Sequence, residues 1–183
     1  LHIPTSVIKM KDPKAILITP TGYMYNPGVR SIKNSLSNKQ FKDFSIYIAD
    51  KMADTFHDAI DTQRYKGNKW PPLTIRYLTW KGKKNLSLNI WEATGCLKNN
   101  IKVFKKGNYI AVGFKQSDVY PKTAAKVNTI ARYMEYGTNK PKGAMPPRPL
   151  FRPITIYMRK HVSDYYKRYQ NELKSKNKTY LYL

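Results

Sequence analysis

The chain has one cysteine, Cys96, and three histidines, His2, His57 and His161, in 183 residues. A single thiol excludes an internal disulfide framework and a thiolate metal cage. Histidines so far apart in sequence argue against a histidine-based metal site. Acidic side chains are also scarce, with 11 Asp and Glu against 34 Lys and Arg. That scarcity leaves little material for paired catalytic carboxylates. No stretch approaches the ~18 consecutive apolar residues of a membrane span, so no membrane partner is expected. The first residues lack a charged segment followed by an apolar core, so no secretory signal is expected there. Glycine-rich phosphate loops and zinc spacings are missing as well.

Hydrophobic residues make up 41% of the chain, enough for a real core. The length suits one domain with an arm or tail attached. The net charge is +23. It is spread along the chain, except that residues 41–66 hold five acids and four bases. A nucleic-acid reader often gathers its bases on one helix or stripe, which this distribution does not do. Lysine outnumbers arginine 26 to 8. The summed surface charge favours polyanions or acidic protein neighbours.

The hydrophobic pattern predicts the elements. Residues 1–40 are punctuated by Pro20, Gly22, Pro27 and Gly28 and read as an extended N-terminal arm, with Ala15–Thr19 as a strand candidate. Phe41, Phe44, Ile48, Met52, Phe56 and Ala59/Ile60 recur at helical steps, and Gly67 is the expected stop. Pro71-Pro72 opens a new unit with a short helix through 74–79. Leu86, Leu88 and Ile90 alternate with polar residues and read as a strand, with a helix as the alternative. Residues 101–104 and 109–114 read as a β-hairpin around Gly107. A helix placed to open near Pro121 buries Ala124, Val127, Ile130/Ala131 and Met134, and Gly137 is positioned to cap it. A proline-stiffened loop over 138–149 leads to a last helix after Pro153, with Ile154, Met158, Val162, Tyr165, Tyr169 and Leu173 on one face. The class is α+β, a small antiparallel β-sheet packed with two or three long α-helices. The expected organisation is an arm over 1–40, one α+β domain over 41–173 and a C-terminal tail over 174–183.

Few groups offer chemistry. His57 and Asp61 share a helical face at four-residue spacing beside Asp58. A metal-dependent site would need more histidines and acids than this chain has. Cys96 has no histidine near it in sequence, and a nucleophile needs a base. Flanked by Gly95 and Leu97, it reads as a small buried side chain. No catalytic, cofactor-binding or metal residues are assigned, and no enzymatic role is expected. Fifteen tyrosines are available to stack bases, but those in 154–173 fall at helical spacing and read as core or interface.

Three motifs stand out. The first runs Gly67-Asn68-Lys69-Trp70-Pro71-Pro72-Leu73-Thr74, then Thr79 and the lysines at 81, 83 and 84. The second is Ala93-Thr94-Gly95-Cys96-Leu97-Lys98-Asn99-Asn100-Ile101. The third joins Glu135-Tyr136-Gly137-Thr138 to Met145-Pro146-Pro147-Arg148-Pro149-Leu150-Phe151-Arg152-Pro153. In this order the chain resembles the tail-completion, or virion morphogenesis, family of long-tailed bacteriophages, over about residues 67–165. Asn100 stands where that family has serine, and Leu150-Phe151 inverts its Phe-Leu order. The arm and the C-terminal extension have no counterpart in it.

The resemblance implies a structural virion protein of the phage neck or tail, assembled in the host cytoplasm. It would be a subunit of a ring that completes the tail or joins it to the head. Such rings are cyclic homo-oligomers with heterologous interfaces. Sixfold symmetry follows the usual tail, and twelvefold would mark a connector position. The implied neighbours are connector and tail-tube or sheath proteins, with nonspecific contact to packaged DNA as a further possibility. The candidate interface residues are Trp70, Glu135, Tyr136, Arg148, Phe151 and Arg152. The alternative is a nonspecific DNA-binding basic protein. Glu135 lies at a helix C-terminus, where the dipole disfavours an anion. Arg148, held on its proline strut, is its expected partner, within one subunit or across two.

Overall fold

We describe the fold from a computed structural model of the chain. It describes residues 6–9, 16–19, 22–25, 32, 36–65, 68–106, 109–115, 117–120, 124–139 and 144–180. The longest element is α1 (Asn38–Asp61). Ser37 starts it with a capping box. Its hydroxyl accepts from Gln40 N at 3.2 Å, and Gln40 Oε1 accepts from Ser37 N at 3.0 Å. Phe41, Phe44, Ile48, Met52, Phe56, Ala59 and Ile60 are all buried, as their spacing predicts. The helix ends before Gly67, at Thr62, whose backbone N–H and hydroxyl both reach Asp58 O.

The class is α+β. Five strands form one antiparallel sheet: β1 (Ser6–Lys9), β2 (Ile16–Thr19), β3 (Gly22–Tyr25), β6 (Lys102–Lys106) and β7 (Tyr109–Gly113). The spatial order is β3-β2-β1-β7-β6. β6 and β7 are the expected hairpin, with Val103 opposite Val112. The segment read as an arm over 1–40 contributes the other three strands. β1 pairs with β7 over Ser6–Lys9, with Val7 opposite Ala111. β6 satisfies only one edge of β7, and β1 supplies partners for the backbone groups of the other. The prolines and glycines that suggested an arm fall outside β1 and β2. Two short strands, β4 (Arg64–Tyr65) and β5 (Asn68–Lys69), make a separate pair after α1.

α2 (Ile75–Lys83) extends the expected short helix, capped by Thr74. The strand expected around Leu86–Ile90 does not form; the segment is irregular. Side chains satisfy its backbone instead of a ladder. Ile90 N donates to Gln63 Oε1 at 2.6 Å, Gln63 Nε2 donates to Ile90 O at 3.1 Å, and Lys81 Nζ donates to Asn89 O at 2.7 Å. Leu88 is exposed and Ile90 buried, so the alternation marked a folded-back loop.

A short helix, α3 (Cys96–Asn99), follows Gly95, and α4 (Val127–Tyr136) starts later than Pro121 suggests. Residues 121–123 lie outside the described residues. Gly137 ends α4 as expected, at φ +73°. A Cβ there would come 2.5 Å from Met145 O and 2.9 Å from Pro147 N, so the returning chain requires glycine.

The last helical region is two helices, α5 (Phe151–Lys160) and α6 (Val162–Tyr180), separated at His161. α5 begins before Pro153, which sits in the first turn, where a missing N–H costs nothing. α6 continues through Tyr180, into the stretch expected to be a tail. Tyr166 and Tyr169 pack on Phe44, and Tyr47 Oη donates to Glu172 Oε1 at 2.8 Å, fastening α6 to α1.

Candidate functional site

The first and third motifs meet in one corner of the fold, and Trp91, just before the second, joins them. Trp70 is buried and its Nε1 donates to Pro149 O at 2.9 Å. Trp91 Nε1 donates to Arg148 O at 3.2 Å. Arg148 N donates to Met134 O at 2.7 Å, tying the proline strut to the end of α4. From the strut, the Arg148 side chain reaches back to the first motif. Its Nε donates to Pro71 O at 2.8 Å and its Nη2 to Pro72 O at 2.9 Å. The two prolines hold those carbonyls in fixed directions.

Glu135 is 4% exposed and its partners are backbone groups. Oε2 accepts from Leu150 N at 2.7 Å and Phe151 N at 3.0 Å, and Oε1 accepts from Arg152 N at 2.9 Å. These are N–H groups that open α5. Leu150 at the N-cap position has no side chain able to accept them, so a carboxylate from α4 supplies the cap. The positive end of the α5 dipole favours that anion. Burial pushes the Glu135 carboxyl above the usual range, against the downward pull of the Leu150, Arg152 and Phe151 N–H groups. Within the chain the expected Glu135–Arg148 pair does not form: each has backbone partners of its own.

Phe151 is also core. Its ring lies 4.7 Å from Phe56, 5.5 Å from Phe114 and 5.9 Å from Trp91, centroid to centroid. Of the six candidate interface residues, Trp70, Glu135, Arg148 and Phe151 are buried within the chain, and only Tyr136 and Arg152 are exposed. Four of the six thus act inside the chain, because a side chain already enclosed has no surface to offer a neighbouring subunit. Tyr136 and Arg152 border, with Glu135 and Pro147, a shallow recess of about 390 Å³.

A deeper cleft of about 380 Å³ lies beside the locked corner. Leu73, Tyr77, Trp91, Met134, Met145 and Arg148 are among its walls. Lys81 lines it too and is 1% exposed; burial pulls its ammonium below the usual lysine range. Burial pushes the Tyr77 phenol up; nearby Tyr120 adds to that and Arg148 opposes it. Neither Lys81 nor Tyr77 was singled out as a site residue from the sequence. A buried lysine among exposed ones leaves no mark on composition. The spacing of Tyr77 and Trp80, three apart on a helix, was the available signal.

The other sequence candidates are structural. The His57 ring donates through Nε2 to Ile101 O at 3.2 Å, and Asp61 pairs with Lys98. Burial raises the Cys96 thiol, which keeps it protonated. Among the described residues there is no cluster of His, Cys, Asp and Glu able to hold a metal ion. Compared with known protein families, with curated proteins and with solved structures, the chain finds no match.

Proposed function

We propose that this is a structural virion protein of the bacteriophage neck or tail, a ring subunit that completes the tail or joins it to the head. One observation carries the reading. The first and third of the segments that resemble the tail-completion family, about 80 residues apart in sequence, close on one another through Trp70 and Arg148, with Trp91 joining them. A shared motif set that builds a rigid corner rather than a reactive group suits a protein whose work is to dock. In this reading the exposed Tyr136 and Arg152, beside the proline strut, meet the next subunit.

Mass spectrometry of purified virions tests the assignment directly; absence of the protein from them would overturn it. Class averages of the purified protein, or of the virion neck, give the stoichiometry. Six subunits would support a tail position and twelve a connector. The +23 charge favours a second reading, nonspecific DNA binding. Salt separates the two. DNA affinity falls steeply as ionic strength rises, whereas a ring closed by apolar contacts persists.

A further inference from the structure

Arg148 is 2% exposed, and two of its three guanidinium nitrogens are committed to Pro71 O and Pro72 O. The third, Nη1, is buried and has no hydrogen-bond partner among the described residues. A buried cationic donor left unmet costs free energy, so such a group asks for an acceptor. Arg148 lines the cleft of about 380 Å³, a size that suits a side chain or a small ligand. Lys81 adds a second buried cation to the wall. Glu92 is the acid among the lining residues, and it is engaged by Asn89 Nδ2 at 3.0 Å and Lys98 Nζ at 3.5 Å. The remaining walls are chiefly apolar, from Leu73, Trp91, Ile130, Met134 and Met145.

This arrangement selects among anions. A phosphate dianion would press several strongly hydrated oxygens against apolar walls. A carboxylate is flat, carries one charge and sits on an apolar stem that such walls accommodate. It also matches the edge of a guanidinium.

The cleft is continuous with an exposed apolar patch. Tyr77 lines the cleft and stacks on Trp80, with centroids 5.4 Å apart and planes 14° apart. Trp80 is half exposed. Exposed Arg76, Lys83 and Lys84 accompany them. Apolar surface of this kind, bordered by charge, marks an interaction site. A small molecule would fill the cleft and leave this patch in water. A polypeptide carrying a carboxylate between apolar residues would cover both.

We propose that the cleft is a carboxylate-binding site that receives an Asp or Glu side chain from an acidic, apolar segment of a partner protein. The acid meets Arg148 Nη1, and its apolar neighbours cover the Tyr77–Trp80 stack. The site stands apart from the ring reading, since a monomeric chain would bind the same segment.

The test is selection of random displayed peptides on the full chain, followed by fluorescence anisotropy of the best binder. Enriched peptides are expected to carry Asp or Glu beside apolar or aromatic residues. Replacing that acid by its amide should weaken binding at least about tenfold. Tyr77→Ala, at a half-exposed position, should weaken it comparably, with a cooperative thermal melt showing that the chain stays folded. Arg148→Lys, which keeps the charge and loses the planar fork, should weaken it too. No enrichment, enriched peptides without an acid, an amide that binds equally well, or full binding by Tyr77→Ala would each overturn the proposal. So would displacement of the peptide by a single-stranded oligonucleotide, which would assign the patch to nucleic acid.

Discussion

Glu135 caps a helix to which it does not belong. Three N–H groups at the start of α5 converge on its two oxygens. Glutamine keeps the shape but replaces one acceptor oxygen by a donor, which then faces backbone N–H groups. We expect Glu135→Gln to lower unfolding stability by about 1–3 kcal/mol, measured by urea denaturation. The pH dependence has a definite sign. Burial raises the folded-state pKa of this carboxyl. The native state then binds more protons than the unfolded chain between the ordinary and the raised value. The stability tied to protonation is full below the ordinary glutamate range and is lost as pH rises through the raised pKa. The gap between wild type and Glu135→Gln should therefore narrow from pH 4 toward pH 7; a gap independent of pH would refute this. The sequence marked Glu135 as needing compensation at the end of α4. It did not show that the compensation came from a helix starting sixteen residues later, because that depends on how the chain folds back.

Two glycines in helical settings behave oppositely at the scale of an element. Gly137 ends α4 at positive φ, with the 145–147 backbone directly against it. Gly137→Ala combines backbone strain of about 1–3 kcal/mol with a clash that the rigid proline strut resists. We expect the melting temperature to fall by several degrees and the corner joining Met134 to Arg148 to loosen. Gly82 lies near the end of α2 with nothing within 4 Å of a Cβ. Gly82→Ala should stabilise by about 0.4–1 kcal/mol, through the lost freedom of the unfolded chain. Thermal melts of the two variants should move in opposite directions. Glycine at 137 was legible as a helix stop because the apolar stripe of α4 ends there. The loop at 86–90 was not legible as a loop. Its alternation imitated a strand, and the Gln63 and Lys81 side chains that satisfy it lie elsewhere in sequence.

For the whole molecule, the first strands decide how β7 is buried. β7 is an inner strand only because β1 pairs along Ser6–Lys9. A chain beginning near residue 30 would leave β7 with an unpaired edge carrying Ile110 and Val112. Such an edge is a template for association with other chains. We expect this truncation to form soluble aggregates, seen by light scattering, whereas the full chain does not. A monodisperse truncated protein would mean that β1–β3 contribute little to the sheet.

The sequence by itself determined the α+β class, the buried stripe of α1, the β6–β7 hairpin and the glycine at the end of α4. Each rests on local periodicity or on a backbone requirement that neighbouring residues reveal. Only the tertiary structure decided that Ser6–Lys9, Ile16–Thr19 and Gly22–Tyr25 complete the sheet, since pairing between distant strands leaves no local signature. It also decided that Trp70, Glu135, Arg148 and Phe151 face inward. Charge and aromatic character alone suggest an interface for such residues. Burial becomes favourable once polar groups find partners, and here those partners are carbonyl and N–H groups supplied by segments remote in sequence.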